Sequence, residues 1–214
     1  MSIEVIVDLR SQFGPIRDQG PRPTCMAFAA SDAHSFARQS PDSLSAEYAY
    51  FHAVQRRSHT DRTTGVSFPA MVEAISLDGQ PVEAGWPYNL GLGPTDDWIP
   101  PDDPGKLFYR GADPLSSELG AIYDRLDGGQ AVIVGMQVGL SFFELDSGEG
   151  LNAPATEPAL GTHALVVVGY GQVNKHRCLL VRNSWGVGWA DHGYGWIHEN
   201  YMKPRLLIVG EMNP

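Results

Sequence analysis

The sequence predicts an α+β fold, and three observations carry the prediction. The first half of the chain has apolar residues at helical spacing, and the part after residue 130 consists of short β-branched and aromatic runs between Gly and Asn turns. Helices followed by strands, rather than alternating with them, favour segregated lobes. Finally, 43% of the 214 residues are hydrophobic, enough for a substantial core in one domain or two small lobes.

Taken in order, the elements are these. Residues 25–38 (CMAFAASDAHSFAR) form a helix after the turn Pro21-Arg22-Pro23, with the Thr24 hydroxyl as N-cap. A second helix covers 46–57 with Ser45 as cap, and a third covers 68–77, ending near Asp78-Gly79. Residues 89–105 are dense in Gly, Pro and Asp and read as a long loop. An amphipathic helix is expected over 115–126. Strands are expected over 131–138, 164–170, 178–182, 193–198 and 206–209, with a second long loop, 146–161, just before His163.

Composition excludes several functions. A formal net charge of −10 argues against nucleic acid and anionic membranes as partners. Arg56, Arg57 and Arg62 are the nearest approach to a basic patch and read as a solvated helix end. No apolar run approaches the ~18 residues of a membrane span. The start lacks the basic n-region of a secretory signal, so the expected location is the cytoplasm, or export by a route without an N-terminal signal peptide. Two cysteines suit a reducing compartment and cannot form a four-thiolate zinc site. Cys178 lies in CLLVRNSW, a buried-strand pattern, so it reads as an inert core thiol rather than a partner for Cys25. The remaining histidines, His34, His52, His59, His176, His192 and His198, show no ligand spacing, and no metal site is expected. Trp98, inside the acidic loop, is the large residue whose exposure would betray a partner surface.

Thiol chemistry needs a thiolate, a base and donors for an oxyanion. Cys25 stands at a helix start, where free N–H groups and the macrodipole favour an anion. With an imidazolium alongside, such a site can lower a cysteine pKa to roughly 3–4. Gln19 precedes it in a Gly/Pro-rich turn that could aim an amide at the same point. Each residue also has a plain reading: Cys25 as a buried small side chain, His163 as a core histidine, Asn183 as a turn residue.

The motifs tip that balance. Gln19-Gly20 with Cys25-Met26-Ala27-Phe28 resembles the papain-family segment QGxCGSCWAF. Gly161-Thr162-His163-Ala164, with Tyr170-Gly171, is similar to its GHAVxxVGYG block. Arg182-Asn183-Ser184-Trp185-Gly186, with Trp189, Gly193, Tyr194 and Gly195, is similar to its NSWGxxWGxxGY block. Leu44-Ser45 with Tyr48, and Gly85-Trp86-Pro87-Tyr88, resemble its LSEQ and YPY segments. Three blocks in the order Gln, Cys, His, Asn are a specific signal.

The resemblance implies a cysteine peptidase acting on polypeptides without a cofactor. Its fold would have a helical lobe (about 13–112) and an antiparallel, β-barrel-like lobe (113–214 plus an N-terminal strand), with the active site in the cleft between. Cys25 would be the nucleophile and His163 the general base and acid. Asn183 would orient the imidazole, Trp185 would cover that bond, and Gln19 with the Cys25 N–H would form the oxyanion hole. Gly65, Val66, Ser67, Phe68, Thr162 and Trp185 would border the substrate.

Departures limit the carry-over. Arg22-Pro23-Thr24 replaces Cys-Gly-Ser, removing a half-cystine, so loop rigidity falls to Pro21 and Pro23. Met26 replaces a Trp, and a Gly-Gly of the cleft is reduced to Gly65-Val66, where the valine could narrow the approach of a peptide. These features resemble a disulfide-poor bacterial branch. Seven residues precede Asp8, the mature-like start, so either a pro-segment was removed or control lies elsewhere: in a regulatory or inhibitory protein partner, in delivery to another compartment, or in narrow specificity. Two other readings use the same scaffold: another acyl transfer (deamidase, transpeptidase or secreted effector), and a non-catalytic binding module.

Overall fold

The Ala- and Phe-rich run after Thr24 forms the central helix of the molecule. The computed structural model describes residues 3–40, 42–146 and 150–214. Its helices are α1 (Cys25–Ala37), α2 (Ala46–Gln55), α3 (Phe68–Leu77), α4 (Leu119–Asp127), α5 (Leu140–Phe143) and α6 (Glu199–Met202). Its strands are β1 (Glu4–Asp8), β2 (Ala112–Pro114), β3 (Val132–Val138), β4 (Gly161–Val173), β5 (His176–Arg182), β6 (Tyr194–His198) and β7 (Leu206–Met212).

Helix α1 is buried on all sides from Met26 to Ser35. Its small residues Ala27, Ala29, Ala30 and Ala33 let neighbours approach closely. It packs on α2 and α3 on one side and on β3, β4 and β7 on the other. Ser31 Oγ donates to Ala27 O, Asp32 pairs with two arginines, and His34 Nδ1 meets Gln80 Oε1 at 2.9 Å, while His34 Nε2 and Ser35 Oγ stay without a partner among the described residues. Helices α2 and α3 start where the sequence places them, with Ser45 Oγ accepting from Tyr48 N (3.0 Å) and Ser67 Oγ from Ala70 N (3.4 Å).

The strands form one antiparallel sheet in the order β2-β7-β3-β4-β5-β6, with β1 also paired to β4. Among the described residues it is an open sheet with β2 and β6 at its edges, so the closed, barrel-like lobe expected from the resemblance is corrected to an open sheet. Strand β4 is the spine. Its first part pairs with β3, its last part with β1, and β5 runs along its other edge. Flanked on both edges and covered by α1, it carries a near-continuous apolar run.

Boundaries moved where tertiary pairing outweighed local pattern. The fourth helix begins at Leu119 rather than 115 because Leu115 N donates to Val209 O, extending the β2–β7 pairing. Strand β4 runs three residues further at each end than its apolar core. The 89–105 loop has neither helix nor strand, as expected. Of the 146–161 loop, residues 147–149 lie outside the described residues, and Leu151 forms a parallel bridge to Ile197. No helix among the described residues is long and apolar enough to cross a membrane.

Candidate active site

Three elements deliver the chemistry-bearing side chains to one place. Cys25 is the first residue of α1, and His163 is the third residue of β4, opposite Met136 on β3. Asn183 directly follows β5. The segment after it turns at Gly186 (φ +73°) and Gly193 (φ +86°), a left-handed backbone that glycine adopts without steric cost. This turn is laced to the stretch before the nucleophile, with Gln19 N donating to Ser184 O (2.8 Å) and Gly186 N to Arg17 O (3.1 Å). A buried ion pair ties α1 to the end of β5. Arg182, next to Asn183, donates from Nε to Asp32 of α1 at 2.6 Å, and Arg17 reaches the other carboxylate oxygen at 2.7 Å.

Hydrogen bonds set the orientation of each polar group. Ser184 N–H donates to Asn183 Oδ1 at 2.8 Å, which fixes that atom as the oxygen. His163 Nε2 lies 2.7 Å from the same oxygen, so Nε2 carries the proton and Nδ1 is left as the basic nitrogen. Asn183 Nδ2 is buried without a partner among the described residues. On the other side, Ser184 Oγ donates to Gln19 Oε1 (2.8 Å), and Gln19 Nε2 donates one hydrogen to Arg22 O (2.8 Å), keeping the second free. The Trp185 ring sits 4.5 Å from the His163 ring, and Phe142 lies behind both at 5.9 Å and 5.4 Å. These rings keep water from the His163–Asn183 bond.

Burial acts on the ionisation of both reactive groups. Burial pushes the Cys25 thiol above its ordinary value, although the N–H groups of Ala164, Met26 and Cys25 itself oppose this by favouring the anion. Burial likewise holds His163 down to about 4, against the pull of Asn183. Burial thus opposes the charged form of each group, against the helix start that favours the thiolate. The Thr24 hydroxyl makes no cap bond and instead lies 2.7 Å from Tyr88 Oη.

A cleft of about 530 Å³ brings the sequence-derived residues together. Gln19, Cys25, Gly65, Val66, Ser67, Phe68, Thr162, His163 and Trp185 all line it, while Asn183 stands behind His163. Val66 is buried at the wall. Sequence reasoning missed Met136, Leu207 and Ile208 in the lining, and Phe142 behind it. The β3 and β7 runs read as strands, but their apolar sequences do not alternate and mark no face toward the cleft, and Phe142 left no signal.

The other candidates found structural places. Cys178 is free and buried, its thiol pushed up to about 11. Arg56, Arg57 and Arg62 are not a solvated helix end. Arg56 pairs with Asp78, Arg57 donates to the carbonyls of residues 61, 64 and 65, and Arg62 to those of 93, 94 and 96. Trp98 is half-buried and donates to Glu47, so it anchors its loop. Pro21 and Pro23 do not stiffen the nucleophile's loop alone, because Arg22 forms a buried ion pair with Glu47.

Comparison with known proteins agrees with this arrangement. Residues 114–206 match the family described as papain family cysteine protease. A cysteine protease of Blomia tropicalis is 28% identical over 197 residues, covering 87% of this chain and 58% of the relative. The chain thus spans about three fifths of that relative's length. Among solved structures, one from a study of the mite allergens Blo t 1 and Der p 1 superposes with a TM-score of 0.81 at 24% identity, covering 100% of this chain and 72% of that one. Xylellain, a cysteine protease from Xylella fastidiosa, gives 0.80 at 22% identity, covering 99% and 87%. Further curated relatives come from mites, plants and an amoeba, and they do not support a bacterial branch. The chain is thus similar in fold to papain-like cysteine proteases, and its residues 114–206 match the model of the papain family.

Proposed function

We propose that this chain is a cysteine peptidase that hydrolyses peptide bonds through a thioester on Cys25. In this reading Cys25 Sγ attacks the scissile carbonyl while its proton passes to His163 Nδ1. The oxyanion receives the Cys25 N–H and the free hydrogen of Gln19 Nε2. Collapse breaks the C–N bond, the proton moves from His163 to the departing amine, and the acyl group remains as a thioester. Water then attacks, giving its proton to His163, and the carboxylic acid leaves as the thiol re-forms.

The observation that carries the reading is the His163–Asn183 bond with its oxygen fixed by Ser184. It supplies an imidazole of defined tautomer inside a cleft that also holds Cys25. The test is incubation of the wild type, Cys25→Ala and His163→Ala with a peptide library, read by mass spectrometry for new termini. Cleavage by the wild type alone is expected. Deamidated side chains without new termini, or cleavage that survives in Cys25→Ala, would overturn the assignment.

A further inference from the structure

We propose that the buried Arg22–Glu47 ion pair is a positioning unit that sets the oxyanion side of the cleft. It acts through the Arg22 carbonyl and, beyond it, the Gln19 amide. The inference rests on the peptidase reading, because it concerns where an oxyanion donor is held.

Both cysteines are free, so nothing covalent holds the loop that precedes Cys25. The Arg22 guanidinium grips Glu47 with two parallel bonds, Nη1 to Oε2 at 2.6 Å and Nη2 to Oε1 at 2.7 Å. Such a fork fixes direction as well as distance. Arg22 is 8% exposed and Glu47 1% exposed, so the pair is scarcely screened. Glu47 lies in the first turn of α2, where the helix favours a negative charge.

Each carboxylate oxygen then takes a second hydrogen bond. Oε2 accepts from Asn89 N (3.1 Å) and Oε1 from Trp98 Nε1 (2.7 Å). All four acceptor positions are filled, so this carboxylate has no alternative arrangement. The guanidinium also donates to Asn89 O (2.9 Å) and lies over the Tyr88 ring at 4.6 Å. Tyr88 Oη in turn donates to Gln19 O at 2.8 Å.

The consequence reaches the chemistry in two bonds. With its side chain clamped, Arg22 presents its carbonyl to Gln19 Nε2. That contact, opposed by Ser184 on the amide oxygen, decides where the free Gln19 hydrogen points. One carboxylate therefore fixes both an oxyanion donor and the 89–98 loop.

Removing either partner alone strands a buried charge and threatens folding. The discriminating variant is Arg22→Met with Glu47→Leu, which removes both charges and keeps the volume. Three quantities are measured: thermal unfolding, kcat and KM on a cleaved peptide, and the rate at which iodoacetamide alkylates Cys25. Alkylation displaces iodide and builds no carbonyl oxyanion, so it reports the thiol and its base alone. The double variant is expected to fold and to alkylate at the wild-type rate, with kcat lower by about 10²-fold and KM little changed, as misplacement of about 1 Å produces. Wild-type kcat in the folded double variant overturns the inference. So does a fall in alkylation matching the fall in kcat, and so does failure of the double variant to fold, since each points to a structural role only. A wild-type chain that cleaves no peptide sinks the peptidase reading and this inference together. A wild type that cleaves beside an equally active double variant sinks this inference alone.

Discussion

Ser184 joins two amides on which the proposed chemistry depends, its N–H orienting Asn183 and its hydroxyl orienting Gln19. Ser184→Ala keeps the first bond and loses the second, leaving the Gln19 amide held by Arg22 O alone. One neutral hydrogen bond is worth about 1 kcal/mol, so kcat should fall roughly fivefold with KM unchanged. Gln19→Ala removes the donor itself and should cost about 10²–10³ in kcat. Steady-state kinetics of the two variants check this ranking, and equal losses would contradict it. At this scale the grouping of Cys25, His163 and Asn183 was legible, because the three sit in ordered sequence blocks. Their ionisation was not. A helix start and a nearby imidazole are visible in a sequence, but burial, which raises one pKa and lowers the other, is the sum of contacts from α1, β4 and the Trp185 segment.

Strand β4 shows how far an element can be read. Its apolar run announces a buried strand, but its full length depends on β1, whose pairing partner lies more than 160 residues away. Gly169 marks the contact. A Cβ there would meet Val7 O at 2.2 Å, so the two backbones approach where no side chain fits. Gly169→Ala should therefore destabilise by about 1–3 kcal/mol through overpacking, measured by urea denaturation, with the loss concentrated in β1 by hydrogen exchange. An unchanged midpoint would show that β1 moves aside without cost. Strand β2 was illegible for a related reason. Its three residues, Ala112-Asp113-Pro114, have no strand pattern of their own and are extended only because β7 offers an edge. Of the two caps read from the sequence, Ser45 acts on Tyr48 three positions away, while the Thr24 hydroxyl goes to Tyr88 Oη.

Across the whole molecule, buried histidines couple the fold to acid. His34 and His163 are both held down to about 4, and burial also lowers His52 and His198. In the unfolded chain such groups titrate near ~6.5, so between about pH 6.5 and 4 that chain binds protons the native state refuses. Stability is fully present above about 6.5 and drains as pH falls toward 4. The Tm should drop over this window, and His34→Gln should flatten the slope. A flat profile in the wild type would contradict the buried neutral histidines. The same interior has a consequence for the chain's birth. Helix α1 is laid against β4, yet Cys25 leaves the ribosome 138 residues before His163. At ~5–20 residues per second, the thiol waits on the order of ten seconds for its base. During that interval the nascent chain carries a cysteine without a partner imidazole, so in the proposed reading no base stands beside the thiol until β4 has been made.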